Sequence, residues 1–358
     1  MEELVNPWKS RRVFLTGHTG FKGGWLALWL ASHGAVIRGF ALDPATEPSF
    51  FVAAKVKDVL EDVRGDIRDF EQLKAELQSF QPEVVFHLAA QPLVRESYAD
   101  PVGTYATNVM GTAHVLEAVR NTSSPTVVIC VTTDKVYRNR EWEWAYREID
   151  PLGGTDPYSS SKAAAELVVD AYRNSYFPTE RFHDHGVAVA TVRAGNVIGG
   201  GDWARDRLIP DLIRGFEEKK PVQIRNPKAV RPWQHVLDPL HGYILLAERM
   251  LRDPTKIDSA FNFGPAESDA WPVARIATKM AEMWGSGAAW AVDESEHPHE
   301  HQCLRLDASR AHAKLGWVPR LKIESALEWT VGWYRNCFLG ADMAQFTNAQ
   351  LRSFIELA

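Results

Sequence analysis

In the first half of the chain, apolar positions fall into short unbroken runs separated by stretches with helical spacing. Residues 12–16 (RVFLT) are β-branched and aromatic and end against glycine, the pattern of a buried strand. A helix is predicted over 25–31 and a second strand over 35–41. Residues 69–80 place Phe70, Leu73, Leu77 and Phe80 on one helical face. Strands follow at 83–89 (EVVFHLA), 126–132 (TVVICVT) and 187–193, with long helices at 102–120 and 158–176. Continuous apolar strands alternating with helices predict an α/β fold: a doubly wound parallel sheet covered on both faces. Such a sheet binds ligands beyond the carboxyl ends of its strands.

From Asn196 the texture changes, with Gly199, Gly200 and Gly201 in a row and several prolines. At 358 residues the chain suits one large α/β unit plus a smaller lobe. The expected division is 1–195 for the sheet domain and 196–358 mainly for a substrate lobe. Late strands near 231–264, such as AFNF at 260–263, are expected to return to the sheet.

A formal net charge of -6 argues against nucleic-acid and membrane-surface partners while leaving room for a local basic pocket. Cys130, Cys303 and Cys337 are odd in number and widely spaced, which reads as a reduced, cytoplasmic protein whose thiols pack. The N-terminus lacks the apolar core of a signal peptide, and the charge-free stretch 23–37 is too short to span a bilayer. Most of the thirteen scattered tryptophans are expected in cores or interfaces.

The first strand runs into Gly17-His18-Thr19-Gly20-Phe21-Lys22-Gly23. Glycines spaced in this way between strand and helix let the backbone approach a pyrophosphate, which the helix N-terminus then binds. The fold expectation is therefore a Rossmann-type dinucleotide domain. Asp43, just past the second strand, can take the adenosine ribose hydroxyls and favours NAD over NADP; alone it could equally be a turn or cap residue. Asp66 and Ile67 could border the adenine, and Ala89, Ala90 and Gln91 let the dinucleotide lie close. Tyr158 and Lys162 are four apart on a helix and share a face. Lys162, with a nicotinamide cation, is expected to lower the Tyr158 pKa so that the phenol can accept a proton from a sugar hydroxyl.

These motifs (TGxxGFxG, GDIRD at 65–69, HLAAQ at 87–91 and YSSSK at 158–162) resemble the extended short-chain dehydrogenase/reductase family. Thr133-Asp134-Lys135, just past the strand at 126–132, resembles the nucleotide-sugar 4,6-dehydratases, and the Asp-Lys order resembles the CDP-glucose enzymes among them. The resemblance extends through 139–154, 192–211 and 231–236. It implies an NAD-dependent hydro-lyase converting CDP-D-glucose to CDP-4-keto-6-deoxy-D-glucose, in deoxysugar biosynthesis for a bacterial surface glycan such as O-antigen. It implies Asp134 as acid to the C6 oxygen, Lys135 as base at C5 and Thr133 as partner of the C4 oxygen. It adds Asn108 to the cofactor site and Asn196, Arg207, Leu208 and Arg231 to the substrate site. Arg231 suits a pyrophosphate, because guanidinium binds phosphate oxygens as a fork. Trp203 and Trp233 could be core or ligand platform. The two long helices are implied to pair across a homodimer, or a dimer of dimers. One departure stands out: the arginine-bearing stretch of dTDP and UDP relatives is replaced by His297-Pro298-His299-Glu300-His301-Gln302. These histidines read as a polar rim, and no metal is expected. A dTDP- or UDP-linked dehydratase, an epimerase on the same fold, and a non-catalytic NAD-sensing protein remain the rival readings.

Overall fold

A computed structural model of the chain describes residues 6–122, 126–257, 260–285, 287–295 and 303–357. In chain order its strands are β1 (Arg12–Thr16), β2 (Val36–Ala41), β3 (Glu61–Arg64), β4 (Val84–His87), β5 (Thr126–Val131), β6 (Val187–Ala194) and β7 (Asn196–Ile198). Then follow β8 (Val222–Ile224), β9 (Val230–His235), β10 (Ala260–Phe263), β11 (Ala270–Pro272) and β12 (Trp290–Val292). Seven of them form one parallel sheet in the order β10-β6-β5-β4-β1-β2-β3. The order reverses between β1 and β4, so the ligand crevice opens beyond the carboxyl ends of those two strands.

Alternate residues of each central strand feed opposite faces. Val13, Leu15, Val84, Phe86, Val127 and Ile129 enter one apolar core. Phe14, Val85, Val128 and Cys130 enter the other. A strand buried on both sides has no use for polar alternation, which is why the sequence runs are unbroken. The Phe70–Phe80 helix starts where the Asp69 carboxylate accepts from Gln72 N, and it buries Leu73 and Leu77 on the second core. The first core continues into the C-terminal third, where Trp333 and Tyr334 are fully buried.

Of the late strands expected near 231–264, only β10 joins the large sheet. β9 pairs instead with β7 and β11 in a three-stranded sheet, and β12 with β8 in a two-stranded one. β7 continues β6 past Gly195, where a Cβ would stand 2.4 Å from Pro232 Cγ, so β9 docks there and not on the main sheet. Among the described residues no helix is long and apolar enough to cross a membrane. Cys130, Cys303 and Cys337 are all free, and among the described residues no group of three or more His, Cys, Asp or Glu side chains could hold a metal ion. His297, His299 and His301 lie outside the described residues.

Candidate active site

The glycine loop is shaped by close approach. Gly17 has φ +78°, and a Cβ there would lie 2.7 Å from Ala89 N. A Cβ on Gly23 would lie 2.1 Å from Gly17 O, so the turn and the helix it opens touch backbone to backbone. Thr16 Oγ1 accepts from the backbone N–H of Leu88 and Ala89, each at 3.1 Å, fixing the end of β4 against β1. The Phe21–Ser32 helix has Gly20 as N-cap and no side-chain cap, which leaves its first N–H groups to face a ligand. Thr19 donates to Leu42 O at 3.0 Å.

Asn108 sits in a π-helical turn, Ala106–Met110, inside the long helix predicted over 102–120. The wider turn aims its buried amide at two neighbours: Gln91, through bonds of 2.9 and 3.1 Å, and Ser161 Oγ at 2.9 Å. Asn108 therefore ties the end of β4 to the helix carrying Tyr158 and Lys162. Asp43 projects from the end of β2 with 90% of its side chain exposed, 3.7 Å from Arg64, which also binds Asp62 at 2.9 Å. Asp66 is paired with Arg68 at 2.6 Å, and that hydrogen bond holds its carboxyl below the usual range. Ile67 is buried, packed where Gly111 leaves room.

A cavity of about 710 Å³ lies at the carboxyl edge of the sheet. It brings together Phe21, Lys22, Ala90, Thr133, Asp134, Lys135, Tyr158 and Lys162 with Asn196, Arg207, Leu208 and Arg231. Gly17, Thr19, Gly20, Gly23, Asp43, Asp66, Ile67, Ala89, Gln91 and Asn108 stand outside its lining, around the glycine loop and the ends of β2, β3 and β4.

The Pro157–Ser175 helix carries Tyr158 and Lys162. It begins where Asp156 accepts from Ser159 N at 2.9 Å and Pro157 presets the first turn. Thr133, Asp134 and Lys135 leave β5 in a short 3-10 turn. Thr133 Oγ1 donates to Asp134 Oδ1 at 3.0 Å, and Lys135 Nζ lies 5.9 Å from the centre of the Tyr158 ring. Burial raises the Asp134 carboxyl, against the opposing pull of Lys135, Thr133 and Arg231. A carboxyl so placed can hold a proton to donate.

Burial pushes the Tyr158 phenol up to about 12, outweighing Thr133 and Arg207, and the lowering expected of Lys162 together with a nicotinamide cation would need that cation beside the ring. Lys162 is itself brought down to about 8 by burial, and its Nζ donates to Val131 O at 3.2 Å. For both groups desolvation is the largest cause.

At the far end, Arg207 pairs with Asp202 at 3.0 Å, and Arg231 donates to Val230 O at 3.0 Å. Trp233 lines the cavity; Trp203 does not, packing instead edge-on against Tyr334 with ring centres 5.0 Å apart. The loop after Lys135 is anchored by a small core of Val136, Tyr137, Tyr146, Ala163 and Leu306.

Sequence reasoning missed the buried polar network behind the catalytic turn. Arg193 grips both Glu166 oxygens at 2.8 Å and the Tyr137 hydroxyl at 2.8 Å. Thr132 and Thr191 hydroxyls also donate to Glu166. The available signal was Glu166 itself, four residues after Lys162 and so on the same helical face. His18 was also missed; its Nε2 pairs with Asp62 at 2.7 Å beneath the loop.

Three known proteins can be set beside this geometry. The chain is 51% identical over 350 residues to a CDP-glucose 4,6-dehydratase of Salmonella typhimurium, covering 98% of each. Among solved structures it resembles a UDP-glucose 4-epimerase of Thermotoga maritima in complex with UDP-glucose, with TM-score 0.79, 20% identity and 91% and 99% of the two chains covered. It also resembles MoeE5 in complex with UDP-glucose and NAD, with TM-score 0.76, 25% identity and coverage of 91% and 99%. The family model described as GDP-mannose 4,6 dehydratase matches residues 14–330, a span that contains the glycine-loop helix, every residue named in the cavity and both small sheets. With a relative this similar along its whole length, the chain belongs to the GDP-mannose 4,6 dehydratase family.

Proposed function

We propose that this chain is an NAD-dependent CDP-glucose 4,6-dehydratase, a hydro-lyase forming CDP-4-keto-6-deoxy-D-glucose and water. The observation that carries the reading is the buried Asp134 beside Lys135 and Tyr158 at the edge of the sheet, in a chain so similar to a CDP-glucose enzyme.

The glycine loop fits a dinucleotide: a Cβ-free turn faces uncapped helix N–H groups. The Gly17, Gly20 and Gly23 backbone and the first N–H groups of the Phe21–Ser32 helix would hold NAD, which when bound would supply reversible hydride transfer. Tyr158 takes the C4 hydroxyl proton, and Thr133 holds the resulting carbonyl oxygen. The ketone makes the C5 proton acidic, and Lys135 removes it. Asp134, whose carboxyl is raised by burial, donates to the C6 oxygen, which departs as water. Lys135 gives a proton back to C5 as C6 is reduced; Tyr158 releases its proton and Asp134 takes one up through solvent, so the net change is loss of water. Arg207, Arg231 and Asn196 supply the cationic and polar groups for the nucleotide diphosphate and sugar. An epimerase has no use for a buried acid beside a lysine, which favours the dehydratase.

Residues 1–195 serve as the cofactor domain and 196–358 mainly as the substrate lobe, the cavity being lined from both. A homodimer, alone or paired again, is supported by exposed Val102, Met110 and Leu167 on the two long helical segments. The free thiols support a reducing cytoplasm, with the product entering deoxysugar assembly for a surface glycan such as O-antigen.

Turnover in heavy water, followed by NMR of the product, tests the assignment of steps. One deuterium at C5 and none at C6 is expected. Turnover without label at C5 would overturn the C5 deprotonation step.

A further inference from the structure

The turn that carries Asp134 and Lys135 is weakly bonded within itself. Val136 N donates to Thr133 O at 3.4 Å and Lys135 N to Thr133 Oγ1 at 3.4 Å, both long for such bonds. Its firmer anchors lie on either side. Just before the turn, Thr132 N donates to Val192 O at 2.9 Å, and the Thr132 hydroxyl donates to Glu166 Oε1. At its end, Gly153 N donates to Val136 O at 2.8 Å. Just after it, the Tyr137 hydroxyl accepts from Arg193 Nη1 at 2.8 Å and donates to Asn262 Oδ1 at 2.7 Å. Glu166 and Arg193 are the two halves of one buried ion pair, so that pair grips the chain on both sides of Thr133, Asp134 and Lys135. Asn262, on β10, is itself held, its amide donating to Tyr146 O at 2.8 Å and to Asp307 O at 3.1 Å. The Tyr137 ring is buried and stacks on Tyr146 with centres 5.1 Å apart.

We propose that Tyr137 is a positioning residue for the elimination step: through its hydroxyl, Arg193 and Asn262 fix the end of the turn on which Asp134 and Lys135 stand. The inference rests on the dehydratase reading above. The hydroxyl is engaged both as donor and as acceptor, which commits it to the protein and not to a substrate. Lys135 and Asp134 precede this anchor directly, with Val136 between, whereas Thr133 adjoins the other anchor, Thr132. Loosening the Tyr137 end therefore disturbs the groups that act at C5 and C6 more than those that act at C4. Displacing a reacting group by about 1 Å costs about 10²-fold in rate. Tyr137→Phe removes the two hydroxyl bonds and keeps the ring against Tyr146. It also leaves the Arg193–Glu166 pair, and with it the Glu166 charge that acts on Lys162.

The test mixes the full-length protein carrying NAD with CDP-glucose and reads two quantities. One is turnover, from the mass of the product; the other is the share of bound cofactor that stands reduced at steady state, from its absorbance. Tyr137→Phe should lower turnover by about 10- to 100-fold while the reduced share rises, because C4 is still oxidised and elimination lags. Arg193→Lys keeps a cation for Glu166, but an ammonium lacks the fork that also reaches Tyr137, so it should move both quantities in the same directions. A role in folding alone would lower turnover and leave the reduced share per bound cofactor unchanged, and that result would overturn the proposal. So would turnover of Tyr137→Phe within about twofold of wild type. Should Tyr137→Phe fail to fold, the same two readings on Arg193→Lys decide. A wild-type protein that removes water from none of CDP-, UDP- and dTDP-glucose would instead overturn the dehydratase reading, and this inference with it.

Discussion

Replacing Arg193 with methionine tests the network behind the catalytic turn. Arg193 and Glu166 are each about 4% exposed, and the guanidinium meets both carboxylate oxygens. Methionine fills much of the space but leaves the Glu166 carboxylate, among the described residues, with the Thr132 and Thr191 hydroxyls. Removing one partner of a buried pair costs about 3–5 kcal/mol. With an unfolding entropy of about 2.1 cal/mol/K per residue, that is a fall in Tm of roughly 4–7 °C for this chain. Differential scanning calorimetry at about pH 7.5 and fixed NAD measures it. Arg193→Met/Glu166→Gln should recover at least half of the loss, because the stranded charge is gone. The pH dependence has a definite sign. Burial opposes ionisation of Glu166, but the Arg193 fork holds its pKa below the ordinary value. Its contribution is therefore present above the unfolded carboxyl pKa and is lost as pH falls through the folded one, so wild type and variant should converge only in acid, below about pH 4.5. A shift under about 1 °C at about pH 7.5 would refute the reasoning. Thr132 adjoins Thr133, so turnover should also fall beyond the loss of folded protein.

Asp134→Asn should still oxidise C4 but not expel water. Turnover should drop by about 10²–10⁴-fold while absorbance of reduced nicotinamide builds up on adding substrate, and unchanged turnover would remove Asp134 from the mechanism. Tyr158→Phe should lose turnover by a similar factor with no such absorbance, because the first proton acceptor is missing. Gly23→Ala drives a methyl into Gly17 O, so the protein should no longer copurify with NAD, and normal nucleotide content would contradict the loop geometry. His87 and His235 are buried, and burial brings both down to about 3. The unfolded chain takes up protons below about pH 6.5 that these folded groups refuse, so stability should fall by about 2.7 kcal/mol per pH unit between about pH 6 and 4. Denaturant melts with a flat profile across that range would contradict it.

The main sheet was readable because doubly buried strands advertise themselves: β1 occupies 12–16, as its apolar run predicts. The position of Asp134 and Lys135 followed from the same logic, since residues just past a buried strand must lie at the sheet edge. Other features depended on partners distant in the chain. Arg193 closes an apolar strand and meets Glu166 27 residues away, a pairing with no local signature. The π turn at Asn108 lies inside an otherwise ordinary helical pattern. β7 and β11 are three residues each, too short to show a period. Lys22 occupies a variable slot of the glycine motif, so its entry into the catalytic cavity needed the fold. The raised Tyr158 pKa likewise depends on burial, which spacing along a helix does not report.

The central claim is tested most directly by mass spectrometry of nucleotide sugars incubated with the purified protein and NAD. CDP-glucose should lose one water with no net build-up of NADH, and UDP- and dTDP-glucose should react far more slowly. Water loss from the uridine or thymidine sugar instead would keep the mechanism and overturn the base. An unchanged mass with all three, from folded protein carrying NAD, would contradict the dehydratase account.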